Sequence, residues 1–218
     1  MESKWRPVQT EVDTVNYRGD SIHLSKVNAL QHSETGQIVV SPQSLSQAEI
    51  EVIAQKYGLK NARGVAIFLI LFATPSEGII KGGDMLNKYH LQKSLFYLWK
   101  GLEDEGLYEI MPRDEFVGAE NGPLPINLDD DLTDFEKQKL IAVTKKKYLE
   151  YPKPLKYIRL TEEGVRIAKE LWIETPEDFH SKALWAKELI YPMTPQEVTA
   201  MVHKKYPEFI DSTKNDIE

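Results

Sequence analysis

Apolar residues recur at helical spacing along most of the chain after residue 45. A first predicted helix has its apolar face at Ile50, Ile53, Ala54 and Tyr57. Ser46 and Glu49 have the spacing of a capping box, which predicts that this helix begins near Ser46. A second helix is predicted over roughly 62–73, in the middle of the core, because this segment, with its apolar run 65–73, is apolar on almost every side. The run is much shorter than the ~20 residues that span a bilayer, so no membrane anchor is expected.

Further helices and one β-ribbon are predicted downstream. The segment 82–107 is apolar at helical spacing, and another amphipathic helix follows the Gly- and Pro-containing loop 118–127. The short apolar runs 141–143 and 157–160 favour strands, and the simplest arrangement joins them as a two-stranded ribbon with a long tip. Three more helices are expected to begin near Thr161, Thr175 and Thr194.

The first 45 residues differ from the rest because they are polar with only short apolar pieces. Residues 33–36, Ser-Glu-Thr-Gly, separate two of these pieces and favour a turn. Two interpretations stay open, a β-hairpin and a poorly ordered arm.

The order helix, helix, helix, ribbon, helix is typical of a winged helix-turn-helix domain. We therefore expect a mainly α protein with a small β-ribbon, built on a winged helix-turn-helix core with additional N- and C-terminal helices. The expected divisions are an arm or hairpin over 1–45, the winged-helix core over 46–175, a C-terminal helical pair over 176–210 and a polar tail over 211–218.

Five short motifs carry a resemblance to a known group of proteins: Leu91-Gln92-Lys93, Asn121-Gly122-Pro123, Asp131-Leu132, Leu140-Ile141, and the segment from Tyr157 to Gly164. In this order they resemble archaeal and phage-associated winged-helix proteins, including the Panacea (SocA-like antitoxin) group. The resemblance covers about residues 82 to 175. It implies a regulator or an interaction module, without shared catalytic residues.

Charge and composition limit the kinds of function that the protein can have. The formal net charge is −7, so any contact with nucleic acid depends on a local basic surface. Cysteine is absent, which excludes thiol nucleophiles, thiolate metal sites and disulfides and fits a reducing cytoplasm. The first residues lack the apolar segment of a signal peptide, so a cytoplasmic location is expected.

The predicted ribbon is the strongest local signal for function. Six cations lie between residues 144 and 159, with Glu150 as the single acid, and three tyrosines alternate with them. A basic ribbon of this kind contacts DNA phosphates, whereas the alternative is a solvated loop whose lysines prevent edge pairing. The predicted DNA-binding residues are Lys145, Lys146, Lys147, Lys153, Lys156 and Arg159.

An acidic cluster at Asp129, Asp130 and Asp131 argues against major-groove recognition by the adjacent helix, because its carboxylates would face phosphates. The same cluster favours the alternative function, an antitoxin- or adaptor-like module that binds a basic protein. It lacks the ligand spacing of a calcium loop and is interpreted as a solvated first helical turn.

The expected protein is therefore not an enzyme and has no catalytic residues, metal or cofactor. The expected function is transcriptional regulation through a basic wing on double-stranded DNA. A basic protein partner is the alternative. The C-terminal aromatic and methionine side chains at Trp172, Trp185 and Met201 would form either a homodimer surface or a packing surface on the core.

Overall fold

The N-terminal segment forms a three-stranded antiparallel sheet. The structure, a computed structural model, describes residues 4–16, 19–73, 85–105, 116–118, 121–149 and 153–210. Within them, β1 (Trp5–Val15) pairs with β2 (Ser21–His32), and β2 pairs with β3 (Ile38–Val40). The turn expected at residues 33–36 joins β2 to β3, so this segment takes the hairpin alternative rather than that of an unordered arm.

Two helices follow the N-terminal sheet. Helix α1 (Pro42–Lys56) begins one turn before the expected Ser46, because Ser41 accepts a hydrogen bond from the backbone N–H of Ser44 and proline occupies the first helical position. Helix α2 (Ala62–Phe72) is buried along its whole length, as its apolar sequence predicts.

The central region carries the second sheet. Strand β4 (Leu86–Asn87) precedes α3 (Lys88–Asp104), and the two-residue strands β5 (Phe116–Val117) and β6 (Leu124–Pro125) pair with each other. After α4 (Leu128–Lys137) come β7 (Ile141–Lys146) and β8 (Leu155–Leu160). The sheet order is β4–β8–β7 and all pairs are antiparallel.

Three C-terminal helices complete the core. They are α5 (Glu162–Glu174), α6 (Glu177–Ile190) and α7 (Pro195–Lys205). Thr161 caps α5, and Thr194 forms the predicted capping box at the start of α7 with Glu197. Helix α6 packs on α3, and α5 packs on α2, so the apolar faces of the helices meet in one hydrophobic cluster.

The expected fold class is wrong. Helices make up 53% and strands 25% of the described residues, and the strands lie in three antiparallel sheets of three, three and two strands. The protein is therefore a mixture of α and β structure rather than a mainly α protein with one small ribbon around a winged helix-turn-helix core. The sequence pattern missed strand β1 because none of its side chains is buried and two of its four half-buried positions, Thr10 and Thr14, are polar.

Two other features bear on the expected organisation. Among the described residues, no helix is both long enough and apolar enough to cross a membrane.

Trp172 and Met201 pack against the core, and Trp185 lies over Gly101 of α3, so these side chains contribute to internal packing. The tail predicted over 211–218 lies outside the described residues.

Candidate functional site

The predicted DNA-binding residues lie on the β7–β8 ribbon and its tip, residues 141–160, which we call the basic hairpin. Its strands extend further toward the tip than the sequence indicates, since Lys145 pairs with Lys156 and Lys146 pairs with Leu155. All six predicted cations are exposed. The structure therefore brings them together on one short element.

The basic hairpin changes character along its length. At its base, Ile141, Ile158 and Leu160 point into the core. Alternate residues of a strand share a face, so Lys145 and Lys156 continue this apolar row beyond the edge of the core. A buried base thus anchors a cationic outer end.

Tyrosines order the outer end of the basic hairpin. The hydroxyl oxygens of Tyr148 and Tyr157 are 3.0 Å apart. The Lys146 ammonium lies 5.0 Å from the centroid of the Tyr157 ring, within cation–π range. These contacts hold one cation and two aromatic rings in place next to the exposed lysines.

Four of the six cations have neither an ion-pair partner nor an aromatic ring beside them among the described residues: Lys145, Lys147, Lys153 and Arg159. Lys156 differs, because its ammonium is 3.4 Å from a carboxylate oxygen of Asp129, which also pairs with Lys88 at 2.5 Å. The hydrogen bond from Lys88, more than the weaker contact with Lys156, lowers the pKa of Asp129. Lys156 therefore serves partly to neutralise α4.

The acidic cluster on α4 is largely paired inside the molecule. Asp131 is almost fully buried and accepts a 2.6 Å hydrogen bond from Arg63 of α2, so its interpretation as part of a solvated turn is wrong. Asp134 pairs with Lys60 and Lys137. Within the part of the chain that the structure describes, no group of three histidine or acidic side chains is placed to hold a metal ion.

A groove of about 640 Å³ lies beside the basic hairpin, and no sequence motif indicates it. It is bounded by the starts of α3 and β8, by one side of α7 and by the loop at residue 121. Its polar lining consists of Asn87, Tyr89, Asn121, Gln196, Thr199 and His203. Its apolar lining consists of Leu155, Pro195 and Ala200. The groove collects residues from four distant parts of the chain, which explains why no motif marks it.

A second, smaller concavity of about 260 Å³ shares Asn87, Tyr89 and Leu155 with the groove. It adds the cationic side chains of Lys88 and Lys156. The groove therefore opens toward the base of the cationic surface.

A buried lysine supports the wall of this groove. Lys93 is fully buried in α3, and its ammonium donates a 2.9 Å hydrogen bond to the carbonyl oxygen of Pro123. Burial lowers the pKa of Lys93 to about 7. Sequence analysis missed it because lysine is almost never fully buried, and the only signal is its position among the apolar residues of α3.

Comparison with known proteins yields no relative that would assign a function. No protein-family model matches the chain, and no curated protein matches it in sequence. The predicted resemblance to archaeal and phage-associated winged-helix proteins thus stays a prediction.

Proposed function

We propose that the protein is a cytoplasmic, non-catalytic DNA-binding regulator that contacts the phosphate backbone through the basic hairpin. The observation that carries this proposal is a group of exposed cations without an ion-pair partner in the part of the chain that the structure describes: Lys145, Lys147, Lys153 and Arg159. Cations without an internal partner keep their full charge available for phosphates. Such contacts give affinity and orientation and carry little information about base sequence.

The overall charge of the protein determines which side of it can approach DNA. With a net charge of −7, most of the surface repels DNA, so productive encounters require the basic hairpin to face the duplex. Lys145 and Lys156 lie side by side on paired strands. Two strands at this spacing form a ribbon, an element that enters DNA grooves in several known binding modes.

Helix α4 is poorly suited to base recognition. Asp129 and Asp130 are exposed in its first turn, where their charges would face phosphates. We therefore assign the contact to the basic hairpin and expect weak discrimination between sequences.

Salt-dependent binding to a random duplex tests the proposal. Replacing Lys145, Lys147 and Lys153 with alanine should weaken binding to every sequence alike. Each lost phosphate contact should reduce the slope of log K against log salt by about 0.9. The variant should fold normally, because all three side chains are exposed.

A matched control removes three charges elsewhere. Lys26, Lys169 and Lys204 are also exposed and have no ion-pair partner among the described residues. Their replacement with alanine should leave the slope unchanged. If wild-type protein does not bind duplex at ~50 mM salt, where electrostatic association is strong, the proposal is wrong.

A protein-interaction module is the second candidate. Its supporting observation is an exposed apolar pair on one face of the N-terminal sheet, where Leu30, 48% exposed, lies opposite Val39, 46% exposed. The version of this function that uses the acidic cluster of α4 is less well supported, because Asp129, Asp131 and Asp134 are already paired within the molecule.

A further inference from the structure

We propose that the groove beside the basic hairpin binds one unstacked nucleobase of a single-stranded segment, while the cations at its edge hold the adjoining phosphates. This inference rests on the proposed function and specifies the form of nucleic acid that this surface takes. The groove volume, about 640 Å³, is within the range of about 300–1,000 Å³ that is usual for small-molecule sites.

The lining of the groove suits an uncharged, planar and polar group. Its polar side chains are amides, hydroxyls and one imidazole, and the described residues that line it include no carboxylate, lysine or arginine. Asn87 uses its side-chain oxygen to cap α3 by accepting from His90 N–H, which leaves its amide donors. A nucleobase offers both donors and acceptors to such groups.

Positive charge lies at the edge of the groove rather than inside it. Lys88 and Lys156 line the adjoining concavity, and one carboxylate, that of Asp129, faces both of them. Lys153 is exposed next to Pro154 of the same concavity. This separation of neutral lining and cationic edge matches a nucleotide, whose base is neutral and whose phosphate is anionic.

The walls of the groove are held in place before a ligand binds. The hydroxyl of Tyr89 lies 2.6 Å from that of Thr199 on α7, which fixes the aromatic ring. At Gly122, φ is +81° and an added Cβ would lie 2.7 Å from a Val202 methyl group, so glycine lets this loop approach α7 closely. Lys93 donates a hydrogen bond to the carbonyl oxygen of the next residue, Pro123. Together these contacts hold Asn121 of the same loop at the groove.

Duplex DNA does not present a base to such a groove. A paired base exposes only its edges, whereas a groove with aromatic and amide walls requires the base to leave the stack. The inference therefore predicts a preference that phosphate contacts alone do not produce, since an abasic strand carries the same phosphates.

The test is fluorescence anisotropy with the full chain and three probes. They are a mixed-sequence 12-nucleotide single strand, its duplex, and an abasic strand of the same length. Wild-type protein should bind the normal strand about tenfold or more tightly than the abasic strand, the expected contribution of a base on an aromatic side chain. Replacing Ala200 with tryptophan should fill the groove and abolish this difference, while duplex affinity stays the same.

Two further variants make the result specific. Ser181→Trp places the same bulk at an exposed position on α6 and should change nothing. Asn121→Ala removes a groove amide without adding bulk and should lower single-strand affinity about threefold; it tests the inference even if Ala200→Trp does not fold.

The outcomes separate the two proposals. The groove assignment is wrong if wild-type protein binds the normal and the abasic strand equally well. It is also wrong if Asn121→Ala and a folded Ala200→Trp both keep full affinity for the single strand. Either result leaves the hairpin proposal intact. Failure of wild-type protein to bind any of the three probes at ~50 mM salt overturns both.

Discussion

Within the described ranges, Lys93 and Lys187 are fully buried lysines whose ammonium groups donate hydrogen bonds to backbone carbonyl groups. Lys187 reaches the carbonyl groups of Leu71 and Ala73 and so caps the C-terminus of α2, where the helix dipole favours a cation. Lys93 instead bonds to a loop carbonyl, and its pKa of about 7 means that it loses its charge near neutral pH. Its protonation is therefore coupled to folding.

Replacing Lys93 with methionine tests this coupling. In the folded protein the pKa of Lys93 is about 7, whereas its ordinary value is 10.5, so the unfolded chain binds more protons between these values. The lysine's contribution to the free energy of unfolding should then rise with pH above 7, by up to about 1.4 kcal/mol per unit. Urea unfolding should show wild type gaining about 2 kcal/mol on Lys93→Met between pH 7 and 9.

The exposed lysine Lys169 supplies the control for that comparison. Lys169→Met should follow the wild-type pH profile. Parallel profiles for wild type and Lys93→Met would contradict the coupling, because they would place the pKa of Lys93 near its usual value in the folded state.

What the sequence predicts at residue scale depends on how local the interaction is. Thr161, Thr194 and Glu197 act as helix caps as expected, because a cap needs only neighbours in sequence. The burial of Lys93 and Asp131 could not be predicted, because their partners lie 30 and 68 residues away along the chain.

At the scale of elements, a buried ion pair joins α2 to α4. Arg63 and Asp131 are each about 5% exposed, and the Nε atom of Arg63 lies 2.6 Å from a carboxylate oxygen of Asp131. Phe68 and Phe135 pack edge to face between the same helices, with centroids 5.2 Å apart. The pair thus lies within an apolar contact and fixes how the two helices meet.

Breaking this ion pair from one side should be costly. Arg63→Met leaves a buried carboxylate without its cation, and the free energy of unfolding should fall by about 3–5 kcal/mol. The double variant Arg63→Met with Asp131→Leu removes both charges and should recover most of the loss. Urea denaturation measures both values. A double variant no more stable than Arg63→Met would show that the pair contributes hydrogen bonds that apolar packing does not replace.

The sequence predicts the bounds of an element correctly where apolar periodicity is strong. The prediction is wrong where periodicity competes with other signals. Helix α2 is found as expected because every residue in it is buried. Helix α1 begins at Pro42 rather than near Ser46, since Ser41 followed by proline is the stronger start signal. The groove joins four separate segments, so only the three-dimensional structure reveals it.

At the scale of the whole molecule, the buried residues form two groups. The larger cluster joins the helices to the base of the basic hairpin through Ile141 and Ile158. Leu24, Val27 and Ala29 of β2 are buried outside that cluster, where the N-terminal sheet packs on α1. The N-terminal sheet is therefore an addition to a core that is complete without it.

Removing residues 1–40 should leave that core folded. Ser41 and Pro42, which start α1, are retained, and Ile50 and Ile53 stay packed in the larger cluster. The deletion exposes the outer face of α1 to solvent. This exposure should lower the free energy of unfolding by about 2 kcal/mol, the value of burying one or two apolar side chains. Circular dichroism should show a single cooperative thermal transition, and duplex binding should persist because the basic hairpin is anchored in the larger cluster. Leu24→Ala with Val27→Ala in the full chain should cause a comparable loss by weakening the same contact. A broad, non-cooperative transition in the shortened protein would show that the N-terminal sheet completes the core.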